Sequence, residues 1–194
     1  MSGRRPGSPQ TREAILDAGL RAFTESGYAG TTIRAVARAA GVDPALVMHF
    51  FGSKDGLFEA AIRGGGIPLR SLSDAADGDV EGLGRRVVAR YVSLWEDPET
   101  GARLHAVMSS VAASPAAADL FKEFVRSEVI QPLVKRLDVG SPETRAILAG
   151  SHLMGVAFAR YVVRIEPLVS LSPEELISCV APAVQRYLTG DLPI

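Results

Sequence analysis

The sequence has little cysteine and little histidine, and each shortage excludes a class of protein. Cys179 is the single cysteine among 194 residues, which excludes an intramolecular disulfide framework and a cysteine-based zinc site. A reducing compartment suits such a chain, so we expect a cytoplasmic protein. The three histidines, His49, His105 and His152, belong to no HExxH motif, and the chain has neither a GxSxG motif nor a glycine-rich phosphate loop. We therefore predict no catalytic residue, no bound metal and no cofactor.

Long uncharged apolar runs are also missing. No stretch of about 18 such residues occurs, so we expect no membrane span. Residues 1–10 contain arginines but no apolar segment, which does not fit a secretory signal. Alternating β-branched runs are few as well, whereas alanine, leucine, arginine and glutamate are abundant. The composition therefore predicts an all-α protein of one or two domains, with 47% hydrophobic and 22% charged residues.

The net charge of −1 is divided unevenly along the chain. Residues 1–63 carry a net charge of +2, and the remaining residues carry −3. A difference this small arises easily by chance, but it agrees with an N-terminal part that faces DNA.

The segment Thr31–Glu59 contains two short helical patterns separated by a tight turn. Ile33 begins an apolar face with spacing i, i+3, i+4, i+7, and Thr31 or Thr32 can cap this helix. Gly41 can adopt the left-handed backbone conformation that commonly ends a helix. Asp43 is a suitable N-cap for the next helix, with proline at the first helical position. Two capped helices joined in this way indicate a helix-turn-helix motif.

The run TTIRAVARAAGVDPALVMHFFGSKDGLF resembles the DNA-binding domain of the TetR family of bacterial transcriptional regulators. The shared features are the threonine pair, Gly41-Val42, Phe50-Phe51, Ser53-Lys54 and Leu57-Phe58. One departure is Met48, where the family usually has a tyrosine that often contacts a phosphate. The resemblance implies that the DNA contacts are Thr32, Arg34, Pro44, Ala45, Leu46, Met48, His49 and Lys54. Arginine can bind guanine, alanine and leucine can contact a thymine methyl, and lysine can pair with phosphate.

Nine helices are predicted along the whole chain. The first four are Thr11–Ser26, Thr31–Ala40, Asp43–Phe51 and Lys54–Arg63, with Gly27 ending the first. The other five are 80–96, 100–113, 115–137, 141–164 and 172–190. A break is expected near Val129–Gln131 because Pro132 follows, and a bend is expected at Pro182.

These helices predict an N-terminal helix-turn-helix domain and a C-terminal helical bundle. The predicted boundaries are 1–63 for the DNA-binding domain, with 1–9 as a flexible arm, 64–78 for a polar linker, and 79–194 for the bundle. Arg4 and Arg5 in the arm could reach DNA or could simply be solvated.

The bundle is where the resemblance implies a pocket for a small apolar effector. Pockets between helices are mostly apolar. The candidate lining residues are Trp95, His105, Met108, Phe121, Phe124, Met154 and Phe158, although each could equally belong to an ordinary core.

The last two long helices are apolar on more than one side, so we expect one of their faces to meet a partner. The resemblance implies a homodimer in which these helices form a four-helix bundle with a second copy. The predicted interface residues are Ala146, Gly150, Leu153, Ala157, Tyr161, Ile177, Val180 and Val184.

Together these features predict a homodimeric repressor that binds double-stranded operator DNA with palindromic symmetry and is released by an unknown small apolar effector. Two alternatives remain at this point. One is a DNA-binding protein of this fold without an effector, and the other is a helical enzyme.

Overall fold

The computed structural model describes residues 9–64 and 68–194, and within these ranges every regular element is helical. The arm residues Arg4 and Arg5 and part of the predicted linker lie outside the described residues. The fold divides into two compact units. The first comprises the chain up to residue 67 together with Ala102–Phe124, and the second comprises Pro68–Gly101 with Val125–Ile194.

The first unit begins with the four helices of the predicted DNA-binding domain. These are α1 (Pro9–Gly30), α2 (Ile33–Ala40), α3 (Pro44–Phe51) and α4 (Lys54–Gly64). Gly27 interrupts α1 with a φ of 66°, as its predicted role as a helix end requires. The core between α1 and α4 contains the fully buried Ile15, Phe23, Leu57 and Phe58, so the helix-turn-helix is supported from beneath by apolar packing.

The later helices follow in the order that the sequence predicts. They are α5 (Arg70–Asp74), α6 (Leu83–Glu96), α7 (Pro98–Ala113), α8 (Pro115–Val125), α9 (Gln131–Val134), α10 (Pro142–Ala157) and α11 (Pro173–Thr189). A π-helical segment, Arg126–Ile130, joins α8 to α9, and a second, Phe158–Val163, extends α10. The second unit is built around α11, which packs against α6 and α10 over a core that includes Val88, Leu153 and Val184.

All nine predicted helices are present, which confirms the all-α prediction. The predicted break before Pro132 takes the form of the π-helical segment Arg126–Ile130, since a wider turn accommodates a proline that lacks an N–H. Helix α11 continues through Pro182. The boundaries at 63 and 79 stay a prediction, because the compact units divide the chain differently and group Ala102–Phe124 with the N-terminal helices.

Helix α5 was not expected, because the prediction made 64–78 a polar linker. Burial of one of its own side chains and ion pairs to a distant arginine explain it. Leu72 is buried, and Arg136 pairs with both Asp74 and Asp77 at 3.3 Å. Tertiary contacts therefore order a segment whose local sequence has little helical character.

Candidate nucleic-acid interface

Helix α2 is capped at both ends by its own sequence. Thr32 has an extended backbone, and its hydroxyl oxygen accepts a hydrogen bond from the Ala35 N–H at 3.1 Å. Gly41 adopts the left-handed conformation with φ 66°, and the Val42 N–H then reaches the Ala37 carbonyl at 3.0 Å. These bonds satisfy orphan groups at each terminus and bring the chain directly into the turn.

Helix α3 begins two residues later. The Asp43 carboxylate accepts a hydrogen bond from the Ala45 N–H at 2.7 Å, and Pro44 occupies the first turn. Gly52 ends the helix with φ 70°, and its N–H reaches the Met48 carbonyl at 2.8 Å. Val47 is fully buried, so one face of this short helix is held against the unit and the opposite face is fixed towards solvent.

The residues predicted to contact DNA occur mainly on that exposed surface. Pro44, Ala45, Met48 and His49 are exposed on α3, and Leu46 is half-buried. Thr32 and Arg34 are exposed at the start of α2. A helix N-terminus beside an exposed reading helix is the arrangement by which helix-turn-helix proteins contact a phosphate backbone and a major groove.

A cleft of about 570 Å³ lies beside the exposed face of α3. It is bounded by Thr11 and Ala14 of α1, by the turn from Ala40 to Asp43, and by the α3 residues Ala45, Leu46 and His49. Three predicted DNA contacts therefore line one concave, mostly apolar surface.

Lys54, the first residue of α4, is already held by the first unit. Its ammonium donates a hydrogen bond to the Thr31 carbonyl at 3.1 Å and lies 4.3 Å from the centre of the Tyr28 ring. The Tyr28 hydroxyl in turn donates to the Asp55 carboxylate. Burial, reinforced by this carboxylate, raises the pKa of Tyr28 to about 12, so the phenol stays protonated at physiological pH.

The sequence interpretation missed two residues of this surface. It selected neither Tyr28, whose buried ring supports Lys54, nor Arg38, which is exposed in the last turn of α2. Neither Arg34 nor Arg38 has an acidic partner within the described part of the chain, so both charges are available to an anion. Arg38 could have been identified from its spacing, because it follows Arg34 by four residues and residues four apart lie on one face of a helix.

The candidate effector residues divide between the two units. Met108 and Phe124 are buried in the first unit, where Phe121 is half-buried and His105 is exposed. In the second unit, Trp95 is buried and stacks on Tyr161, with ring centres 5.0 Å apart. Met154 is half-buried and Phe158 is exposed.

Trp95 also has a polar atom without a partner. Its indole N–H is buried and meets no acceptor with hydrogen-bonding geometry among the described residues. Such a group is costly unless something else satisfies it. Over the same ranges, no three His, Cys, Asp or Glu side chains group closely enough to hold a metal ion.

The predicted dimer residues stay a prediction, but most of them are already covered within one chain. Six of the eight are buried within the single chain: Ala146, Leu153, Ala157, Ile177, Val180 and Val184. These side chains face the chain's own core, and only Gly150 and Tyr161 are partly exposed. The helical period identified two apolar faces of α10 but did not reveal which one points inward.

The outward face of α10 is itself apolar. Ile147 is 53% exposed and Phe158 is 38% exposed, and Met154 is partly exposed between them. A Cβ atom added at Gly150 or Gly155 would meet no atom within 4 Å. The segment Pro142–Val163 is long and apolar enough to cross a membrane by length and composition, as are core helices of soluble proteins. Its charge-free part extends only from Ala146 to Ala159.

Two parts of the sequence match families of known regulatory proteins. Residues 15–61 match the family described as bacterial regulatory proteins, tetR family, and residues 81–188 match the tetracyclin repressor-like C-terminal domain. The HTH-type transcriptional regulator BetI of Burkholderia cenocepacia is 35% identical over 130 residues, which is 65% of this chain. The match spans only 59% of that relative's length.

Solved structures extend the similarity over both units. A TetR-family regulator from Streptomyces coelicolor A3 is 34% identical, with a TM-score of 0.67 over 96% of this chain and 99% of its own. The multidrug binding protein EbrR, solved with malachite green, shares the fold at 20% identity and a TM-score of 0.66, covering 93% of this chain and 99% of its own. With a helix-turn-helix that exposes its second helix and with family matches over both parts of the sequence, the chain belongs to the TetR family of bacterial regulatory proteins.

Proposed function

We propose that this protein is a cytoplasmic, homodimeric transcriptional repressor that binds a palindromic DNA operator and acts by binding rather than by catalysis. The observation that carries the proposal is the exposed face of α3. Pro44, Ala45, Met48 and His49 project from a helix that is capped at both ends and held by Val47. A rigid, exposed helix of this kind fits the major groove of B-DNA.

Phosphate contacts would come from the residues around the reading helix. Thr32, Arg34 and Lys54 surround the start of α2, where the helix dipole also favours an anion. These contacts would fix the register of the protein on DNA, and the α3 side chains would read bases. Because this helix has few hydrogen-bonding side chains, DNA shape would supply much of the specificity.

The outward face of α10 supports a homodimer. Gly150 and Gly155 have open space where a side chain would lie, so packing within one chain does not require glycine there. Small residues permit a second helix to approach closely, and Ile147, Met154 and Phe158 would provide the apolar contact. We therefore assign the interface to this face, and Gly150 remains in it from the residues predicted earlier, whereas Tyr161 stacks on Trp95 of its own chain.

A small apolar effector would release the protein from DNA. The buried indole of Trp95, stacked on Tyr161 with ring centres 5.0 Å apart, supports an effector that is apolar. To weaken DNA binding tenfold, the effector must favour the released state by about 1.4 kcal/mol.

Selection from genomic DNA tests this function. The purified protein is mixed with genomic fragments, including its own upstream region, and bound fragments are sequenced. We expect enrichment of an inverted repeat whose half-sites lie about 34–36 Å apart, or a multiple of that distance. Recovery of fragments without any common sequence would contradict the proposal.

A further inference from the structure

The ammonium of Lys54 is held in place by contacts within the protein itself. Lysine normally holds its charge on a mobile four-carbon chain. Here Nζ donates to the Thr31 carbonyl at 3.1 Å and lies 4.3 Å from the centre of the Tyr28 ring. A hydrogen bond and a cation–π contact together select one position of the side chain.

Tyr28 is rigid enough to act as the support for this charge. Its side chain is only 6% exposed. The ring packs edge-on against Phe58 with centres 5.1 Å apart, and its centre lies 6.0 Å from that of Phe23. The hydroxyl donates to Asp55, the residue next to Lys54. The ring therefore cannot rotate away without disturbing the core of the first unit.

The position selected for Lys54 is next to the start of α2. Thr31, which accepts its hydrogen bond, is buried and immediately precedes the exposed cap residue Thr32. The Thr31 hydroxyl is tied to the Gly27 carbonyl at 2.8 Å, so the acceptor is also fixed. An ammonium with three donors uses one on Thr31, and the others remain for an anion at the N-terminus of α2.

We infer that Tyr28 is a positioning residue for DNA binding, which holds the Lys54 ammonium at the phosphate site before DNA arrives. This inference rests on the proposed function and adds a role for a residue that does not itself touch DNA. The lysine side chain loses its rotamer freedom on folding, so that loss does not reduce the affinity for DNA.

Nuclear magnetic resonance of the free protein tests the positioning directly. The chain has only three lysines, and Lys122 and Lys135 are exposed internal references. The wild-type Lys54 side-chain signals should be shifted upfield by the Tyr28 ring, and Tyr28→Phe, which keeps the ring, should preserve the shift. Lys54→Met identifies the signal. Coincidence of the Lys54 signals with those of Lys122 and Lys135 in the wild-type protein would overturn the inference, whatever the protein binds.

A double-mutant cycle then separates positioning from general packing. Affinity for the selected operator duplex is measured for the wild type, Tyr28→Leu, Lys54→Ala and the double variant. Each protein must have wild-type helical circular dichroism and remain folded at the assay temperature. Tyr28→Leu alone should weaken binding by about tenfold, as expected when two lysine side chains per dimer must be ordered on binding. In the Lys54→Ala background the same change should have no effect.

Equal losses in both backgrounds would show that Tyr28 is only structural and would overturn the inference. The salt dependence identifies the part played by Lys54 itself, because its loss from both subunits should flatten the slope of log affinity against log salt by about 1.8. Arg63→Ala removes the same charge near the other end of α4 and serves as the control. An unchanged slope in Lys54→Ala would overturn both the phosphate role and the positioning. A wild-type protein that binds no sequence selectively would contradict the proposed function, while the nuclear magnetic resonance result would still stand on its own.

Discussion

Met48 lies on the exposed face of α3, and its side chain cannot donate a hydrogen bond. Its side chain is 45% exposed, at the position where the TetR family usually has a tyrosine. Since the neighbouring Ala45 and Pro44 also lack side-chain donors, under the proposed function this face would contact bases chiefly through shape and apolar surface. Under the same proposal, Met48 would not supply the phosphate contact that a tyrosine often makes in the family.

Replacing Met48 with tyrosine should restore that contact. We expect Met48→Tyr to bind the operator about thirtyfold more tightly, because the dimer gains two hydrogen bonds of roughly 1 kcal/mol each. The slope of affinity against salt should not change, because the added group is neutral. Met48→Phe is the matched control, since it has the same ring without the hydroxyl. Equal affinities of the two variants, measured by fluorescence anisotropy, would contradict this explanation.

Some single residues could be assigned from the sequence, and others could not. The caps Thr32 and Asp43 and the left-handed Gly41 depend on local geometry, which the local sequence encodes, and the structure confirms them. The contact between Tyr28 and Lys54 joins residues that are far apart along the chain. No helical period links such a pair, so it became visible only in three dimensions.

At the scale of elements, α11 has the most complete start. The Ser172 hydroxyl accepts a hydrogen bond from the Glu175 N–H at 3.3 Å, and the Glu175 carboxylate accepts one from the Ser172 N–H at 2.8 Å. The hydrogen bonds from the Ser172 hydroxyl and N–H lower the pKa of Glu175 below its ordinary 4.5. This capping box anchors the helix around which the second unit is built.

The capping box predicts a specific acid sensitivity. Because the pKa is lower in the folded state, the stabilisation by Glu175 is complete above pH 4.5 and is lost as the pH falls through the folded pKa. The melting temperature of Glu175→Gln should therefore lie below that of the wild type at pH 7, and the gap should close in acid. Glu143→Gln, in the first turn of α10 without a capping box, is the control. A gap that stays constant from pH 7 to pH 3 would refute the assignment.

Helix α5 and the inward face of α10 could not be predicted from local sequence, for a physical reason. Helix α5 is held by an ion pair to Arg136, which is far away in sequence, and by the burial of its own Leu72 against other parts of the fold. The interface residues on α10 stay a prediction, and Ala146, Leu153 and Ala157 are buried within the chain, on one of the two apolar faces of that helix. Periodicity gives the angle between two faces, but only packing against α6 and α11 decides which face is inside.

At the scale of the whole molecule, the proposed operator binding requires a second copy of the chain. Gly150→Glu should break the dimer, because a carboxylate on the outward face of α10 would be buried without a partner. The folded monomer should tolerate it, since a Cβ at this position meets no atom within 4 Å. Light scattering should therefore give the monomer mass, with unchanged helical circular dichroism.

The control for that variant is Gln131→Glu, which adds the same charge to an exposed residue of α9. It should stay dimeric. A Gly150→Glu protein that is also fully dimeric at micromolar concentration would exclude this face of α10 as the interface, and the second contact surface would have to be sought elsewhere.

Binding to the selected operator, compared with a scrambled duplex of the same length and composition, tests the central claim most directly. At physiological salt the dimer should prefer the operator by at least about a thousandfold, as specific regulators do. Hydroxyl-radical footprinting should show two protected half-sites related by two-fold symmetry and spaced by whole helical turns. Equal affinity for the two duplexes, or protection without two-fold symmetry, would contradict the proposal that this protein is a dimeric, operator-specific regulator.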